Sequence, residues 1–112
     1  MSLRSQLLKG VLEGCILGII DKGDVYGYEL SSKLQQMGLH DVSEGSIYPI
    51  LLRLQKANLI QGEMRDSPTG PKRKYYRLTN EGKNALEQFI YEWERLKKPV
   101  DHILLGGNYD GL

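Results

Sequence analysis

The sequence predicts a mainly α-helical domain with one small β-hairpin. Apolar residues recur at steps of three and four in four separate stretches, the spacing of helices that bury one face. Between the third and fourth stretches this spacing stops, and a cluster of turn-forming residues separates two segments typical of strands. The 112 residues are 40% hydrophobic and 26% charged, so we expect one globular domain and exclude disorder as the main state.

The first two helices are predicted at residues 3–20 and 26–37. Seven apolar residues between positions 7 and 19 share one broad face of the first helix, and further apolar residues widen that face. We therefore expect the first helix to be buried on more than one side. A turn is predicted at 21–24, and Gly38 is expected to stop the second helix because glycine favours helix ends.

The third helix is predicted at residues 44–58. Ser43 is a good N-cap, and Glu44 lies in the first turn, where the helix dipole favours an acid. Pro49 has no N–H group, so we expect it near the first turn or at a bend. Opposite the apolar side, with Tyr48 on its flank, the helix carries polar and basic side chains: Ser46, Arg53 and Lys56.

A hairpin and a fourth helix follow. Residues 59–65 and 72–78 are predicted as strands, and 66–71 contains five turn-formers that exclude regular structure. Thr79 is expected to cap the fourth helix and Pro99 to end it. The predicted divisions of the chain are a helix-and-hairpin domain at 1–79, a C-terminal helix at 80–100 and a flexible tail at 101–112.

The formal net charge of +1 hides an uneven distribution. Residues 46–77 contain seven basic and two acidic residues, a local charge of +5, while the rest of the chain carries −4. A basic segment on an acidic body indicates an anionic partner, with nucleic acid as the first candidate. A solvated, charged surface is the structural alternative, and charge alone does not decide between them.

Three helices followed by a two-stranded basic hairpin is the element order of a winged helix-turn-helix. A helix of this kind enters the DNA major groove and presents side chains to base edges. The adjacent hairpin places cations on backbone phosphates. We therefore assign residues 1–79 to a winged helix-turn-helix that binds double-stranded DNA. Arg53 is a phosphate-contact candidate because no acid lies at helical spacing from it.

Three sequence runs resemble the PadR family of transcriptional regulators. They are YGYEL at 26–30, GSIYPILLRL at 45–54 and KRKYYRLT at 72–79, in the right order and spacing. The resemblance implies a dimeric repressor of the small subfamily, with one C-terminal dimerisation helix. It also implies DNA contacts for the residues on the motif positions: Tyr26, Ser46, Tyr48, Pro49, Lys72, Arg73 and Lys74.

The fourth helix carries too many large apolar side chains to leave in water. The first helix likewise has more apolar width than one small core uses. A two-fold dimer through the first and fourth helices would bury both apolar faces. It would also hold the two reading helices, the third helix of each subunit, about 34 Å apart. The expected dimerisation residues are Leu7, Val11, Leu86, Phe89, Ile90, Trp93 and Leu96.

Trp93 has two interpretations. In an apolar stripe of this kind a tryptophan is most often dimer core. Small members of the PadR family include drug-sensing repressors, in some of which an aromatic residue on the last helix lines a hydrophobic pore at the dimer centre. The resemblance therefore implies a small aromatic or hydrophobic effector at Trp93, and aromatic rings suit flat apolar ligands.

Structural roles compete with the DNA contacts. Tyr48 could cover core between helices, Pro49 could serve only to start its helix, and residues 72–74 could form a solvated hairpin tip. The alternative function is a winged-helix module that binds another protein without sequence-specific DNA recognition. The sequence leaves both functions open.

No residue pattern indicates catalysis, a metal site or a cofactor. The two histidines, His40 and His102, stand far apart, and catalytic or phosphate-loop motifs are missing. Cys15 is the single cysteine, which excludes an internal disulfide and weakly favours a cytoplasmic location. The longest apolar stretch, 11–20, is about half a membrane span, so no membrane partner is expected. No secretory signal is recognisable at the N-terminus.

Overall fold

The computed structural model describes residues 2–106 and confirms the predicted fold class. Four helices surround a small antiparallel sheet. Among the described residues, no helix is long and apolar enough to cross a membrane. In chain order the elements are α1 (Leu3–Asp21), β1 (Val25–Tyr26), α2 (Gly27–Gln36), α3 (Glu44–Lys56), β2 (Ile60–Ser67), β3 (Gly70–Leu78) and α4 (Asn80–Leu105).

The central element of the domain is α1. It contacts α2, β3 and α4, and its residues Ile16 and Ile20 are buried among them. This burial on several sides follows from apolar residues around most of its circumference, as predicted. Helix α3 packs into the same core through Ile47 and Leu54, both fully buried. One face of α3 is therefore fixed against the domain, and the opposite face lies at the surface.

The two ends of α3 are defined by local backbone chemistry. Ser43 is its N-cap, as predicted: the Ser43 hydroxyl accepts the N–H of Ser46, and the Ser46 hydroxyl accepts the N–H of Ser43. Pro49 lies inside the helix and removes one backbone donor there. At the other end, Asn58 adopts a left-handed conformation with φ of 61°. The helix consequently ends at Lys56, two residues earlier than predicted.

The sheet has three strands in the order β1-β3-β2, one more than the predicted hairpin. The additional strand is β1, whose Val25 and Tyr26 pair with Tyr76 and Tyr75. A strand of two residues is too short to show a period, so no sequence pattern predicts it. The hairpin turn is also tighter than predicted: β2 runs to Ser67 and β3 starts at Gly70.

The prediction that Pro99 ends the last helix is wrong. Helix α4 continues through Pro99 to Leu105, and Gly106 follows with φ of 73°. The helix lacks the backbone donor of Pro99 and still continues for more than a turn beyond it. Residues 101–105, expected in a flexible tail, are therefore helical. The rest of that predicted tail, 107–112, lies outside the described residues.

The end of α3 and the starts of β2 and α4 meet at one place, here called the α3–α4 junction (Asn58, Leu59, Thr79 and Gly82). The Thr79 N–H donates to the Leu59 carbonyl at 3.1 Å, and the Thr79 hydroxyl donates to the Asn58 carbonyl at 2.7 Å. The same hydroxyl accepts the N–H of Gly82 at 3.0 Å and so caps α4. Gly82 lies directly against the Leu59 carbonyl, with no room for a Cβ atom.

We expect Gly82→Ala to destabilise the protein by about 1–3 kcal/mol, because the added methyl would push the α3–α4 junction apart. Gly45→Ala is the matched control. Its new Cβ would have Ser43 Oγ as its nearest neighbour at 3.8 Å, an ordinary contact, so a small gain in helix propensity is expected. Chemical denaturation of both variants measures the difference. Equal stability of the two would contradict the close contact.

Candidate nucleic-acid interface

The exposed face of α3 carries the side chains that the sequence analysis singled out. Tyr48 is 48% exposed, and Pro49 and Arg53 are exposed beside it. Ile47 and Leu51, on the other side of the helix, are buried in the core. The alternating burial follows from the helical period, which sends neighbouring residues in different directions. The alternative role for Tyr48 was to cover the core between helices. About half of its side chain is exposed, so this role explains only the buried half.

Tyr48 is held in one orientation by two neighbours. Its ring lies against Gly27 at the start of α2, where a Cβ atom would come within 2.9 Å of the phenol oxygen. Its hydroxyl donates a hydrogen bond to Glu44 Oε2 at 2.9 Å. This hydrogen bond and partial burial raise the pKa of Tyr48 above its usual value. The phenol is therefore neutral and oriented at physiological pH.

Ser46 has a structural task. Its hydroxyl donates to the Ser43 carbonyl at 2.8 Å and accepts the Ser43 N–H at 3.0 Å, so it closes the capping box of α3. The side chain is exposed all the same. A contact from Ser46 to DNA would use the remaining lone pair of a hydroxyl that already stabilises the helix start.

Arg53 has an acidic partner that the helical spacing does not reveal. Its guanidinium lies 3.1 Å from Glu13 Oε2 on α1, forty residues away in sequence. Both side chains are largely exposed, at 60% and 41%, so this ion pair stabilises little and is easily exchanged for a phosphate. No acid on α3 lies at helical spacing from Arg53, as predicted, but tertiary packing supplies one from α1.

The three hairpin cations differ in how they are held. Lys72 is exposed and makes no ion pair or hydrogen bond within the described part of the chain. The Arg73 guanidinium lies 4.5 Å from the centre of the Tyr26 ring, a cation–π contact that ties β3 to β1. Lys74 crosses the sheet and donates to Gln55 of α3 at 3.0 Å. The structure thus joins the hairpin directly to α3.

A cluster that the sequence analysis missed surrounds Asp24, just before β1. Asp24 Oδ2 accepts from Arg65 of β2 at 2.6 Å and from Arg77 of β3 at 2.8 Å. These two guanidinium groups lower the pKa of Asp24. Two of the seven cations in the basic segment are therefore paired with an acid of the protein itself, although their side chains stay partly exposed. Side chains alternate along a strand, so Arg73, Tyr75 and Arg77 share one face of β3, but this spacing does not identify the acid that they meet.

The apolar residues predicted to form the dimer divide into two groups. Leu86 is only 9% exposed and belongs to the core of the single chain, which corrects its assignment to a surface. Phe89 packs against Gly14 of α1, where no Cβ atom would fit. Val11 is half-buried. The others are exposed, and the longer α4 adds to them: Leu7, Ile90, Trp93, Leu96, Val100, Ile103, Leu104 and Leu105.

Trp93 is 40% exposed and lines two apolar grooves between α1 and α4. One groove, of about 540 Å³, is also lined by Leu7, Val11 and Leu96. That volume is within the range of small-molecule sites. The groove is open to solvent along its length in the single chain, so a second apolar surface would be needed to close it.

Among the described residues, Cys15 and the potential metal ligands form no further site. Burial raises the pKa of the Cys15 thiol, which makes it a poor nucleophile, as expected of a core cysteine. Within residues 2–106 no group of three or more His, Cys, Asp or Glu side chains could hold a metal ion.

A helical domain that exposes one helix beside a basic hairpin, with a further helix after it, defines the winged-helix class of transcriptional regulators. The profile of the Transcriptional regulator PadR-like family matches residues 16–88, and the chain belongs to this family. Members regulate transcription and are not enzymes. The resemblance stated from the sequence motifs is therefore confirmed.

Solved structures and curated relatives agree with this assignment. A PadR-like transcriptional regulator from Bacillus cereus strain ATCC 14579 is 55% identical, with a TM-score of 0.82 over 91% of this chain and 99% of that one. The Negative transcriptional regulator PadR of Bacillus subtilis is 28% identical over 92 residues, which are 80% of this chain and 50% of that protein. This chain thus matches about half the length of that relative.

The structure of Bacillus subtilis PadR in complex with operator DNA is also similar. It is 30% identical, with a TM-score of 0.64, over 71% of this chain and 46% of that one.

Replacement of Asp24 by Asn tests the ion cluster. At neutral pH we expect Asp24→Asn to unfold at a lower Tm than the wild type. Because the folded pKa of Asp24 is lowered, its stabilisation is present above the unfolded pKa of about 3.9 and is lost as the pH falls through the folded value. Thermal unfolding by circular dichroism from pH 7 down to about pH 2 should show the two Tm values converge. A constant gap would contradict this role.

Proposed function

We propose that this chain is a repressor of transcription that binds double-stranded DNA as a homodimer. The observation that carries the proposal is the contact between α3 and the basic hairpin. Lys74 of β3 donates to Gln55 of α3, which holds the hairpin beside the exposed face of the helix. The operator complex of Bacillus subtilis PadR supports the same use of this fold.

In this proposal α3 enters the major groove and the hairpin follows the backbone. Tyr48 and Pro49 lie on the exposed side of α3 and approach base edges. Lys72, which has no partner among the described residues, is the hairpin cation most available to a phosphate. Arg53 exchanges its weak ion pair with Glu13 for a second phosphate contact. Tyr26 and Ser46 contribute by holding Arg73 and the start of α3 in place.

The dimer follows from the uncovered apolar surface of α1 and α4. Ile90 and Leu96 are at least half exposed, and Trp93 lies between them. In a soluble monomer such a continuous apolar stripe is rare because it would associate with any apolar partner. A second α4, packed along α1 and α4 of the first subunit, buries the stripe on both subunits. The two reading helices then bind two half-sites on one face of the DNA.

Repression and release are the finer parts of the proposal. Repression is supported by the name of the Bacillus subtilis relative, a negative regulator. The proposal includes a cytoplasmic location, because a repressor must reach the DNA that it regulates. For release, we propose that a flat hydrophobic or aromatic molecule enters the groove beside Trp93 once the dimer has closed it. Occupation of that groove would change the separation of the two reading helices.

DNA binding is tested with two substitutions on different parts of the surface. Duplexes selected by the wild-type protein from a random pool serve as the specific probe, and a scrambled duplex as the non-specific one. We expect Tyr48→Ala to weaken specific binding more than non-specific binding. Lys72→Ala should weaken both about equally and lower the salt slope of log K by about one.

Fluorescence anisotropy over a range of salt concentrations provides these affinities. If the wild-type protein binds no duplex better than the scrambled one, the protein-binding alternative is favoured and the repressor proposal fails. If Tyr48→Ala and Lys72→Ala reduce specificity equally, the division between reading helix and hairpin is wrong.

The dimer is tested with Leu96→Glu, which places a charge in the centre of the apolar stripe. We expect this variant to elute as a monomer and to lose at least about tenfold in affinity for the selected duplex, since a dimer binds both half-sites at once. Gln88→Glu adds the same charge to an exposed position on the side of α4 away from the stripe, and should remain dimeric. Light scattering coupled to size-exclusion chromatography gives both masses. A dimeric Leu96→Glu would refute the proposed interface.

Trp93 is the only tryptophan, so its fluorescence reports directly on the groove. We expect flat cationic dyes to quench it at saturable concentrations and to lower the affinity for the selected duplex. Trp93→Leu should keep the dimer but lose the effect of the dye on DNA binding. Absence of quenching across a panel of such dyes, with DNA binding unchanged, would leave Trp93 as dimer core only.

A further inference from the structure

Glu44 is the one acidic residue of α3, and it lies at the first position of the helix that we propose to approach DNA. An acid on this surface repels phosphates, so it weakens the sequence-independent part of DNA binding. Stabilisation of the helix start by a negative charge explains an acid in the first turn. It does not explain why this carboxylate is also held by a side chain from the next turn.

The carboxylate of Glu44 has a fixed position. Tyr48 donates its hydroxyl proton to Glu44 Oε2 at 2.9 Å, one helical turn away. Tyr48 is itself fixed, because its ring lies on Gly27 of α2. Glu44 Oε1 accepts no hydrogen bond from any residue between 2 and 106. The pair therefore presents one oriented acceptor oxygen at the N-terminal end of the exposed face of α3.

We propose that Glu44 is a specificity-determining residue that accepts a hydrogen bond from the N4 amino group of a cytosine in the major groove. The N-terminal residues of a reading helix are those that contact base edges. A carboxylate accepts but does not donate, and cytosine presents a donor in the major groove. Guanine and thymine present acceptor oxygens there, which a carboxylate repels. Adenine also offers an amino donor, but its N7 acceptor lies beside that donor and disfavours a carboxylate relative to cytosine. Tyr48 is the positioning residue for this contact. The inference rests on the proposed function.

The experiment uses the full chain and three variants. Glu44→Gln keeps an acceptor for Tyr48 but removes the charge. Tyr48→Phe keeps the ring on Gly27 but releases the carboxylate. Glu87→Gln removes a charge from an exposed position of α4 and controls for the change in net charge. Each is tested against a duplex that the wild type selects from a random pool, against all single base-pair changes of that duplex, and against a scrambled duplex.

We expect Glu44→Gln to bind scrambled DNA more tightly than the wild type, since a repulsive charge is gone, and to lose at least about fivefold in the ratio of specific to non-specific affinity. The loss should be confined to one base pair per half-site, where the wild type requires cytosine. Tyr48→Phe should show a smaller loss at the same base pair. Glu87→Gln should keep the wild-type ratio.

Two outcomes overturn the inference while leaving the proposed function intact. In one, Glu44→Gln keeps the wild-type specificity ratio. In the other, its loss is spread over all positions, which is the result expected if Glu44 only stabilises the helix start. Thermal unfolding of each variant without DNA identifies that second case, because a lower Tm would accompany the uniform loss. If the wild type itself prefers no sequence, the proposed function fails and the inference with it.

Discussion

The arrangement of the whole surface depends on the α3–α4 junction. Asn58 follows α3 in a left-handed conformation, and the hairpin begins two residues later at Ile60. The start of α4 returns to this place, because Thr79 and Gly82 both meet the backbone carbonyl of Leu59. Gly82 permits this because any side chain there would meet the Leu59 carbonyl. The end of α3, the start of the hairpin and the start of α4 therefore meet at one hydrogen-bonded point. In the proposed dimer, a change in the packing of α4 would reach α3 through these contacts.

Fewer cations of the basic segment are free to bind phosphates than the sequence count indicates. Arg65 and Arg77 are used to hold Asp24, Arg73 lies on Tyr26, and Lys74 is bonded to Gln55. These contacts fix the sheet and its position against α3. The cations thus serve first to build the hairpin, and only Lys72 among the hairpin-tip residues remains without a partner in the described chain. A count of charges overestimates the phosphate contacts that this hairpin can make.

The apolar stripe of α4, in contrast, is larger than the sequence indicates. Helix α4 passes through Pro99 and extends its stripe by another turn and a half, as far as Leu105. No other element among residues 2–106 covers this stripe. In the proposed dimer the same helix closes the groove beside Trp93, so assembly and ligand entry share one surface. The junction at the start of α4 links that surface to the reading helix.

The sequence by itself determined the helices, the hairpin, the cap of α3 and the family, because helical periodicity, turn residues and contiguous motifs are local properties of the chain. It also identified which face of α3 is exposed. Tertiary structure alone decided which charges are free, because Asp24 and Glu13 meet arginines that are more than 39 residues away along the chain. It also decided that β1 joins the sheet and that Leu86 belongs to the core. Ion pairs and strand pairs between residues far apart in sequence depend on how the elements pack together. The local spacing of residues does not predict that packing.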